Sequence, residues 1–540
     1  MRLPATTRSS VAACSRSSGI RRRRHAGEPP ATATLPFLRS LQLVNRVLIA
    51  NRGEIALRVV RACREEGLET VAVYSAADRS SPHVRAADRA VAIGPPAPSE
   101  SYLNIARLVE AAVTTGADAV HPGYGFLAER AAFAEAVEAA GLTWIGPPPS
   151  AIRAMGDKTE ARRRMAAAGV PIVPGASAPV GDIGPALGLA REVGYPVMVK
   201  AAAGGGGKGM RVVRTPEALP GALESAANEA LKAFGDASVY LEKFIERPRH
   251  VEIQVLADHT RTIHLGEREC SIQRRHQKLV EESPSMAVDS DLREWMGAAA
   301  VSAAEAVGYR GAGTCEFLLA SDRSFYFLEM NTRIQVEHPV TELVYGVDLV
   351  REQLRIAAGE PMRVHAGWLS PRGWAMECRI TSEDPANGFL PGTGRIDYLR
   401  IPGGPGVRWD AGVDVGDEVT LYYDSMLAKL IVWAPDRAQA ITRMRRALDE
   451  LAVLGVATNQ AFHRRLFADP EFRAGEVDIQ FLDRRADLLQ PAPSPEEVLQ
   501  LAVAAALAED EARRTRRPAV AGDDGASDAW TRQALLEGLR

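Results

Sequence analysis

Arg46-Val47-Leu48-Ile49-Ala50-Asn51-Arg52-Gly53-Glu54-Ile55-Ala56 decides the fold class of this 540-residue chain. Its first five residues form a short apolar run suited to a buried strand. Asn51-Arg52-Gly53 then turns into a helical pattern over Glu54–Glu66, stopped by Gly67. A second strand, Thr70-Val71-Ala72-Val73-Tyr74, follows. A helix-like stretch, Ile105–Thr114, leads to Ala117-Asp118-Ala119-Val120. Strands alternating with helices predict a parallel, doubly wound α/β unit. It closes near Trp144-Ile145-Gly146-Pro147-Pro148-Pro149, where the prolines mark a boundary.

Outward from this unit the pattern changes. From about Ala151 to Glu360 the chain is richer in β signals and holds most of the polar clusters. From Pro361 to Leu489 it has many Gly and Pro turns, short strands at Glu418–Tyr422 and Lys429–Trp433, and a helix at Ala438–Leu451. Pro491-Ala492-Pro493-Ser494-Pro495 reads as a linker before a helical stretch, Glu496–Arg514. The expected organisation is a non-core extension over 1–43, an N-terminal unit over 44–157, a central α+β unit over 158–360, a β-rich α+β unit over 361–489, and a linker and helical tail over 490–540. Residues 1–43 carry eight arginines, no lysine and one acid, Glu28. That composition suits an organellar transit peptide, a disordered extension or an upstream start site, and the segment is left out of the fold.

Composition narrows the class further. Hydrophobic residues make up 46% and charged residues 25%, which predicts a soluble globular protein. A net charge of −3 supplies no basic field for nucleic acid. Cys14, Cys63, Cys270, Cys315 and Cys378 are far apart and form no C-x-x-C pair, so a reducing compartment is expected, without a disulfide framework or zinc site. The longest apolar run, near Leu501–Leu507, is about ten residues, well short of the roughly 20 a bilayer needs.

Several clusters carry chemistry. Lys200-Ala201-Ala202-Ala203-Gly204-Gly205-Gly206-Gly207-Lys208-Gly209-Met210 lies between the strands Pro196–Val199 and Arg211-Val212-Val213. Without Cβ atoms its backbone N–H groups can approach phosphate oxygens; a flexible low-complexity loop is the other reading. Thr314-Cys315-Glu316-Phe317-Leu318-Leu319 and Phe325-Tyr326-Phe327-Leu328-Glu329-Met330 predict a hairpin around Ser321-Asp322-Arg323-Ser324. A turn centred on Asp322-Arg323 opposes residues whose numbers add to 645, which puts Glu316 against Glu329. Facing carboxylates repel unless a divalent cation sits between them, and oxygen ligands suit Mg²⁺ or Mn²⁺. Strand period then adds Asn331 as a third ligand. If the chain stays extended, Arg333, Gln335 and Glu337 continue on that face: a guanidinium, an amide and a carboxylate, suited to a small oxyanion and a base. Cys270-Ser271-Ile272-Gln273-Arg274-Arg275-His276-Gln277-Lys278 is a dense donor cluster or a solvated basic face. Arg379, inside the apolar Met376-Glu377-Cys378-Arg379-Ile380, implies a buried ion pair or a ligand contact.

These stretches together resemble the biotin carboxylases of the ATP-grasp superfamily. The resemblance is carried by Ile49-Ala50-Asn51-Arg52-Gly53-Glu54-Ile55-Ala56, His121-Pro122-Gly123-Tyr124-Gly125-Phe126-Leu127, Met155-Gly156-Asp157-Lys158, the glycine loop, Pro248-Arg249-His250-Val251-Glu252-Ile253-Gln254, Gln273–Lys278, Glu329–Glu337 and Tyr422-Tyr423-Asp424-Ser425-Met426. It covers roughly Val44 to Leu489. Ala128-Glu129-Arg130 departs from the family's usual Ser-Glu-Asn run. The resemblance implies an N-terminal doubly wound domain, a central ATP-grasp domain with a mobile lid bearing the glycine loop, and a C-terminal β-rich domain.

It also implies roles. Lys158, Lys200, Gly204, Gly205, Gly206, Gly207, Glu242, Lys243, Phe244, Ile245, His250, Gln273 and His276 would bind ATP, with Ile245 at the adenine. Glu316, Glu329 and Asn331 would hold two Mg²⁺ or Mn²⁺ ions. Lys278, Arg333, Gln335 and the backbone N–H of Val336 would hold bicarbonate. Glu337 would be the base, and Arg379 would stabilise the biotin enolate. The sequence has no Met-Lys-Met in an Ala-rich context, so biotin is expected in trans, on a biotin carboxyl carrier protein beside a carboxyltransferase subunit. The expected assembly is acetyl-CoA carboxylase, the alternative being propionyl- or methylcrotonyl-CoA carboxylase. A homodimer and a cytoplasmic location follow from the same resemblance, or an organellar one if 1–43 is a transit peptide. A different ATP-grasp ligase would share the metal pair but not Arg333–Glu337 with Arg379. A non-catalytic subunit would show damage at these positions, and there is none.

Overall fold

Val47 and Ile49 face one side of the first strand, Leu48 and Ala50 the other, and all four are buried. A strand buried on both faces belongs at the centre of a parallel sheet. The computed structural model, which describes residues 44–176, 179–180, 183–201, 210–234, 237–364, 370–489 and 495–515, places it there. Strands β1 (Arg46–Ile49), β2 (Glu69–Ser75), β3 (Arg89–Gly94), β4 (Ala119–His121) and β5 (Thr143–Trp144) form a sheet in the order β3-β2-β1-β4-β5. Every pairing in it is parallel. The helix Gly53–Glu65 covers the Val47/Ile49 face with Ile55, Val59 and Val60. Helices Ile105–Thr115 and Ala131–Ala139 cover the Leu48/Ala50 face. This is the doubly wound unit expected from the alternating pattern. Its switch-point loop is pinned by Asn51, whose Nδ2 donates to the carbonyls of Pro122 and Tyr124, each at 2.7 Å. Gly123 has φ +63, and a Cβ there would meet Asn51 Nδ2 at 2.9 Å, so only glycine lets the two loops touch.

A small antiparallel sheet follows: β6 (Val197–Ala201), β7 (Arg211–Val213) and β8 (Val239–Lys243), in the order β7-β6-β8. Helices Ile183–Val193 and Leu219–Phe234 pack on it around their own core. The glycine stretch joins β6 to β7, and residues 202–209 lie outside those described.

The largest sheet has eight antiparallel strands. It runs β13 (Phe325–Asn331), β12 (Gly311–Leu319), β9 (Arg249–Ala257), β10 (Thr262–Arg274), β11 (Gln277–Ser283), β14 (Trp374–Thr381), then the strands Met426–Ala434 and Val407–Ala411. The β11–β14 ladder carries it across residue 361, so strands from both sides of that point share one hydrogen-bonded surface. The strand expected at Glu418–Tyr422 is only Glu418–Val419. The chain turns there, which leaves Leu421 and Tyr422 exposed and drives Tyr423 against Tyr102, Phe126 and the Arg52 guanidinium. Tertiary packing of one aromatic outweighed the local strand preference. Among the described residues no helix is long and apolar enough to cross a membrane.

Arg268 on β10 is fully buried and ties the sheet together. Its guanidinium donates to Glu252 (2.5 Å), Gln254 (2.6 Å), Thr341 (2.9 Å) and Thr314 (3.0 Å). Arg268→Met removes the cation and leaves the Glu252 carboxylate with only Lys278 beside it. It is expected to lower stability by about 3–5 kcal/mol, measured by denaturant unfolding against the parent protein.

Candidate active site

The β12–β13 hairpin delivers the two facing carboxylates. Glu316 pairs with Glu329, and Thr314 with Asn331, in the expected register. The turn itself is not the expected one. Nearer the loop Phe317 pairs with Phe327 and Leu319 with Phe325, one residue out of step. A bulge at Leu328 restores the register before Glu329 is reached, and leaves Leu328 and Glu329 both exposed. Bulges next to active sites re-aim a side chain in this way.

Beyond Asn331 the chain does not stay extended. It bends at Thr332-Arg333, turns at Val336-Glu337 and enters the helix His338–Tyr345, with Glu337 at its N-cap. The alternating-face argument is therefore corrected: Asn331, Arg333, Gln335 and Glu337 converge because the chain folds round them. Arg333 donates to Asn331 Oδ1 at 3.0 Å and Gln335 Oε1 at 3.2 Å. Gln335 Nε2 and Asn331 Nδ2 donate to Glu316 Oε1 at 2.9 and 2.8 Å. The bend is held by Glu129, which accepts from the Thr332 N–H at 3.2 Å and from Arg333 Nε at 3.0 Å. The departure at Ala128-Glu129-Arg130 thus keeps the one side chain that supports the site.

Lys278 sits at the centre. Its ammonium donates to Glu252 (2.5 Å), Glu316 (3.0 Å) and Glu337 (2.7 Å), which come from three separate segments. Burial alone would lower the ammonium pKa, but the three carboxylates together hold it well above the ordinary value. Burial alone would raise Glu337. Lys278, Arg379 and Arg268 more than offset that and keep it well below the usual carboxylate range. Glu316 is likewise held low, against burial, by Lys278 and His250. Glu329 is raised, by desolvation and then by Glu316 opposite. Arg379 Nη2 reaches Glu337 Oε2 at 2.9 Å, and its Nε donates to Glu281 Oε1 at 2.7 Å.

Of the residues assigned to ATP, His250 and Gln273 lie against this centre. His250 Nε2 lies 2.9 Å from Glu316 Oε2, and Gln273 Nε2 is 3.2 Å from His250 Nδ1. His276 and Arg275, both at positive φ, form the exposed tip of the β10–β11 hairpin, so the Gln273–Lys278 cluster is a turn flanked by two inward-facing side chains. Lys200 on β6 ion-pairs with Glu242 on β8. Lys243 points the other way and donates to the carbonyls of Gly194 and Tyr195 at 2.9 and 3.1 Å. The Phe244 N–H bonds the Pro196 carbonyl at 3.1 Å, which fixes the strand leading to Ile245. Lys158 opens the helix Lys158–Ala167, near enough for its charge to favour the Glu329 carboxylate. Gly204–Gly207 lie outside the described residues.

Divalent ions fit this donor set. Glu316 and Glu329 are directly opposed hard carboxylates, the second open to solvent, with Asn331 beside them. His250, Glu252 and Glu316 also bring ligand atoms within 4.8 Å of one another, but Lys278 already bridges two of those carboxylates. Residues that the motif reading passed over are Glu252, Arg268, Glu281, Glu377, Lys429 and Glu129. A signal existed for the first: His250, Glu252 and Gln254 alternate with Val251 and Ile253, which puts three polar groups on one face of an otherwise apolar strand. Lys429 is fully buried and donates to the Val336 carbonyl at 2.8 Å, which fixes the turn that carries Glu337.

Comparison with known proteins agrees with this geometry. The family described as biotin carboxylase, N-terminal domain matches residues 43–152. The carbamoyl-phosphate synthase L chain, ATP binding domain matches 157–365, and the biotin carboxylase C-terminal domain matches 377–484. The biotin carboxylase of Nostoc sp. is 56% identical over 439 residues, 81% of this chain and 98% of the relative. Among solved structures, the biotin carboxylase domain dimer of Hydrogenobacter thermophilus 2-oxoglutarate carboxylase, bound to MgADP, ADP and bicarbonate, is 47% identical with TM-score 0.77. That match covers 84% of this chain and all of the other. The biotin carboxylase of Campylobacter jejuni in its β,γ-ATP complex is 45% identical with TM-score 0.77, covering 82% of this chain and 99% of the other. With three consecutive domains matched and a doubly wound unit set against an ATP-grasp sheet, this chain belongs to the biotin carboxylase family.

Proposed function

We propose that the chain carboxylates biotin on a biotin carboxyl carrier protein, using ATP and bicarbonate, in the first half-reaction of acetyl-CoA carboxylase. The observation that carries the reading is the Glu337 carboxylate, held between Lys278 and Arg379 beside Arg333 and Gln335. Bicarbonate is held by Lys278, Arg333, Gln335 and the Val336 N–H. With Lys278 and Arg379 stabilising its charge, Glu337 is too acidic to be a good base. A bound anion takes a share of those cations, raises the proton affinity of Glu337 and so matches the base to its task. Glu337 accepts the bicarbonate proton. The freed oxygen attacks the γ-phosphorus in line, breaks its bond to the bridging oxygen so that ADP leaves, and gives carboxyphosphate, which releases CO₂ and phosphate. Phosphate takes the ureido N–H proton of biotin, the nitrogen attacks CO₂, and Arg379 pairs with the enolate oxygen.

Lys158, Lys200, Gly204–Gly207, Glu242–Ile245, His250, Gln273 and His276 bind the nucleotide in this reading. Divalent ions held by Glu316, Glu329 and Asn331 would neutralise phosphate charge. Units over 44–157, 158–360 and 361–489 act as one catalytic body. The protein works as a cytoplasmic homodimer with a separate carrier and a carboxyltransferase subunit. Near-complete coverage of a stand-alone biotin carboxylase supports acetyl-CoA carboxylase over the propionyl- or methylcrotonyl-CoA alternative. The primary test is bicarbonate-dependent ADP release stimulated by free biotin; metal-loaded, folded protein without that activity would sink the reading.

Two variants test the centre. Arg333→Ala is expected to lower kcat by about 10²–10³-fold while the KM for ATP stays within a few-fold, in steady-state assays. Lys278→Met separates charge from packing. In the parent protein Glu316 and Glu337 titrate below their unfolded value, so their stabilisation is present above the ordinary carboxylate range and is lost as pH falls through the depressed folded values. Without the ammonium, three carboxylates crowd each other and their folded pKa values rise, so stability falls as pH rises through about 4.5. Thermal melts are expected to show a large deficit for the variant near about pH 8 and a smaller one near about pH 5. An equal deficit at both would rule out the charge coupling.

A further inference from the structure

β11 and β14 place Glu281 directly opposite Glu377 in the middle of the large sheet. Both side chains are fully buried. Glu281 Oε1 accepts from Arg379 at 2.7 Å, but Glu281 Oε2 and both oxygens of Glu377 have no hydrogen-bond partner among the described residues. Two ionised carboxylates opposed in a dry ladder repel. A single proton between them converts the clash into an O–H···O⁻ bond and satisfies two of the three orphaned oxygens.

The surroundings favour that state. From β11 the neighbouring charges are Lys278 and Glu281 itself, and from β14 they are Arg379 and Glu377. The strand Met426–Ala434 supplies Lys429, already committed to the Val336 carbonyl at 2.8 Å and to Glu54 at 3.1 Å. The start of the helix His338–Tyr345 supplies Glu337, and the N-terminal unit supplies Glu54 and Tyr124, which bond each other. No cation among these is directly paired with Glu377. Burial, and then the charge of Glu281, push Glu377 well above the ordinary carboxylate value, while burial and Glu337 lift Glu281 to about 7 against the pull of Arg379.

We propose that Glu281 and Glu377 share one proton, and that this pair is the fixed anchor that aims the Arg379 guanidinium at the biotin end of the site. Both glutamates are then positioning residues. The anchor has a use during turnover. Arg379 is shared between Glu281 and Glu337, and once Glu337 takes the bicarbonate proton its hold on the guanidinium weakens from charge-assisted to neutral. Glu281 keeps Arg379 in place through both Nε, at 2.7 Å, and Nη2, at 2.6 Å, while the Nη2 hydrogen that faced Glu337 is offered to the ureido oxygen. Loss of the shared proton makes the pair doubly anionic, and the repulsion moves Glu281 away from Arg379.

This inference rests on Arg379 meeting biotin. The test uses the full chain with free biotin as acceptor, comparing Glu377→Leu, Glu377→Gln and Glu281→Gln with the parent protein. Gln at 377 keeps a donor toward Glu281; Leu does not. Glu377→Leu and Glu281→Gln are expected to raise the KM for biotin by about tenfold, with the KM for ATP within about twofold, because the lost hydrogen bond acts on Arg379 alone. Glu377→Gln is expected to recover most of that loss and to flatten the alkaline rise in biotin KM that loss of the shared proton is expected to cause in the parent. Equal KM values in Leu and Gln variants, or biotin and ATP KM rising together, would overturn the anchor. If the parent itself fails to use biotin, the parent reading fails instead.

Discussion

One ammonium group, that of Lys278, holds the active centre together. It draws Glu252 from β9, Glu316 from β12 and Glu337 from the turn beyond β13 to within 3.0 Å. Three carboxylates at that spacing in a buried site would repel strongly, and each would tend to take up a proton. Lys278 and the Arg268 and Arg379 guanidiniums keep them ionised and close. The carboxylates proposed as base and metal ligand can therefore share one small volume with a structural one. That arrangement stabilises the charge separation the reaction requires, at the cost of making Glu337 unusually acidic until an anion binds.

Around this centre the fold divides the work. The doubly wound unit contributes few reacting groups but fixes the ones it touches: Glu129 braces Arg333, and Glu54 meets Lys429 behind Val336. The eight-stranded sheet supplies the inward-facing charges from adjacent strands, where register sets their spacing. The three-stranded sheet carries Lys200 and Glu242, which pair with each other. The centre thus stands on the large sheet, which also carries His250 and Gln273, while Lys200, Glu242 and Lys243 stand on the smaller one.

The hairpin shows how far local pattern reaches. Glu316 faces Glu329 as expected, although the turn was misplaced by one residue and a bulge at Leu328 made up the difference. The pairing was legible because both strands are strongly apolar on one side; the bulge was not, because nothing in Phe327-Leu328-Glu329 distinguishes a bulged from a regular strand. Asn331–Glu337 is the opposite case. Its alternation suited a strand, yet the chain bends there and converges by a turn and a helix start. The bend depends on Glu129 and Lys429, which lie about 200 residues before and 100 after it, so no local window contains the cause.

The sequence by itself determined the order of domains, the doubly wound start, the facing carboxylates and the family motifs. These follow from short-range periodicity, turn chemistry and ordered motifs, all of which are local. Tertiary structure alone decided the protonation balance and the hidden half of the site: Glu252, Arg268, Glu281, Glu377 and Lys429. Each of these is an ionisable residue in an apolar strand, which reads the same whether it is paired, shared or orphaned. What separates those fates is the neighbour across the sheet, and cross-strand register between β11 and β14 joins residues up to 98 positions apart.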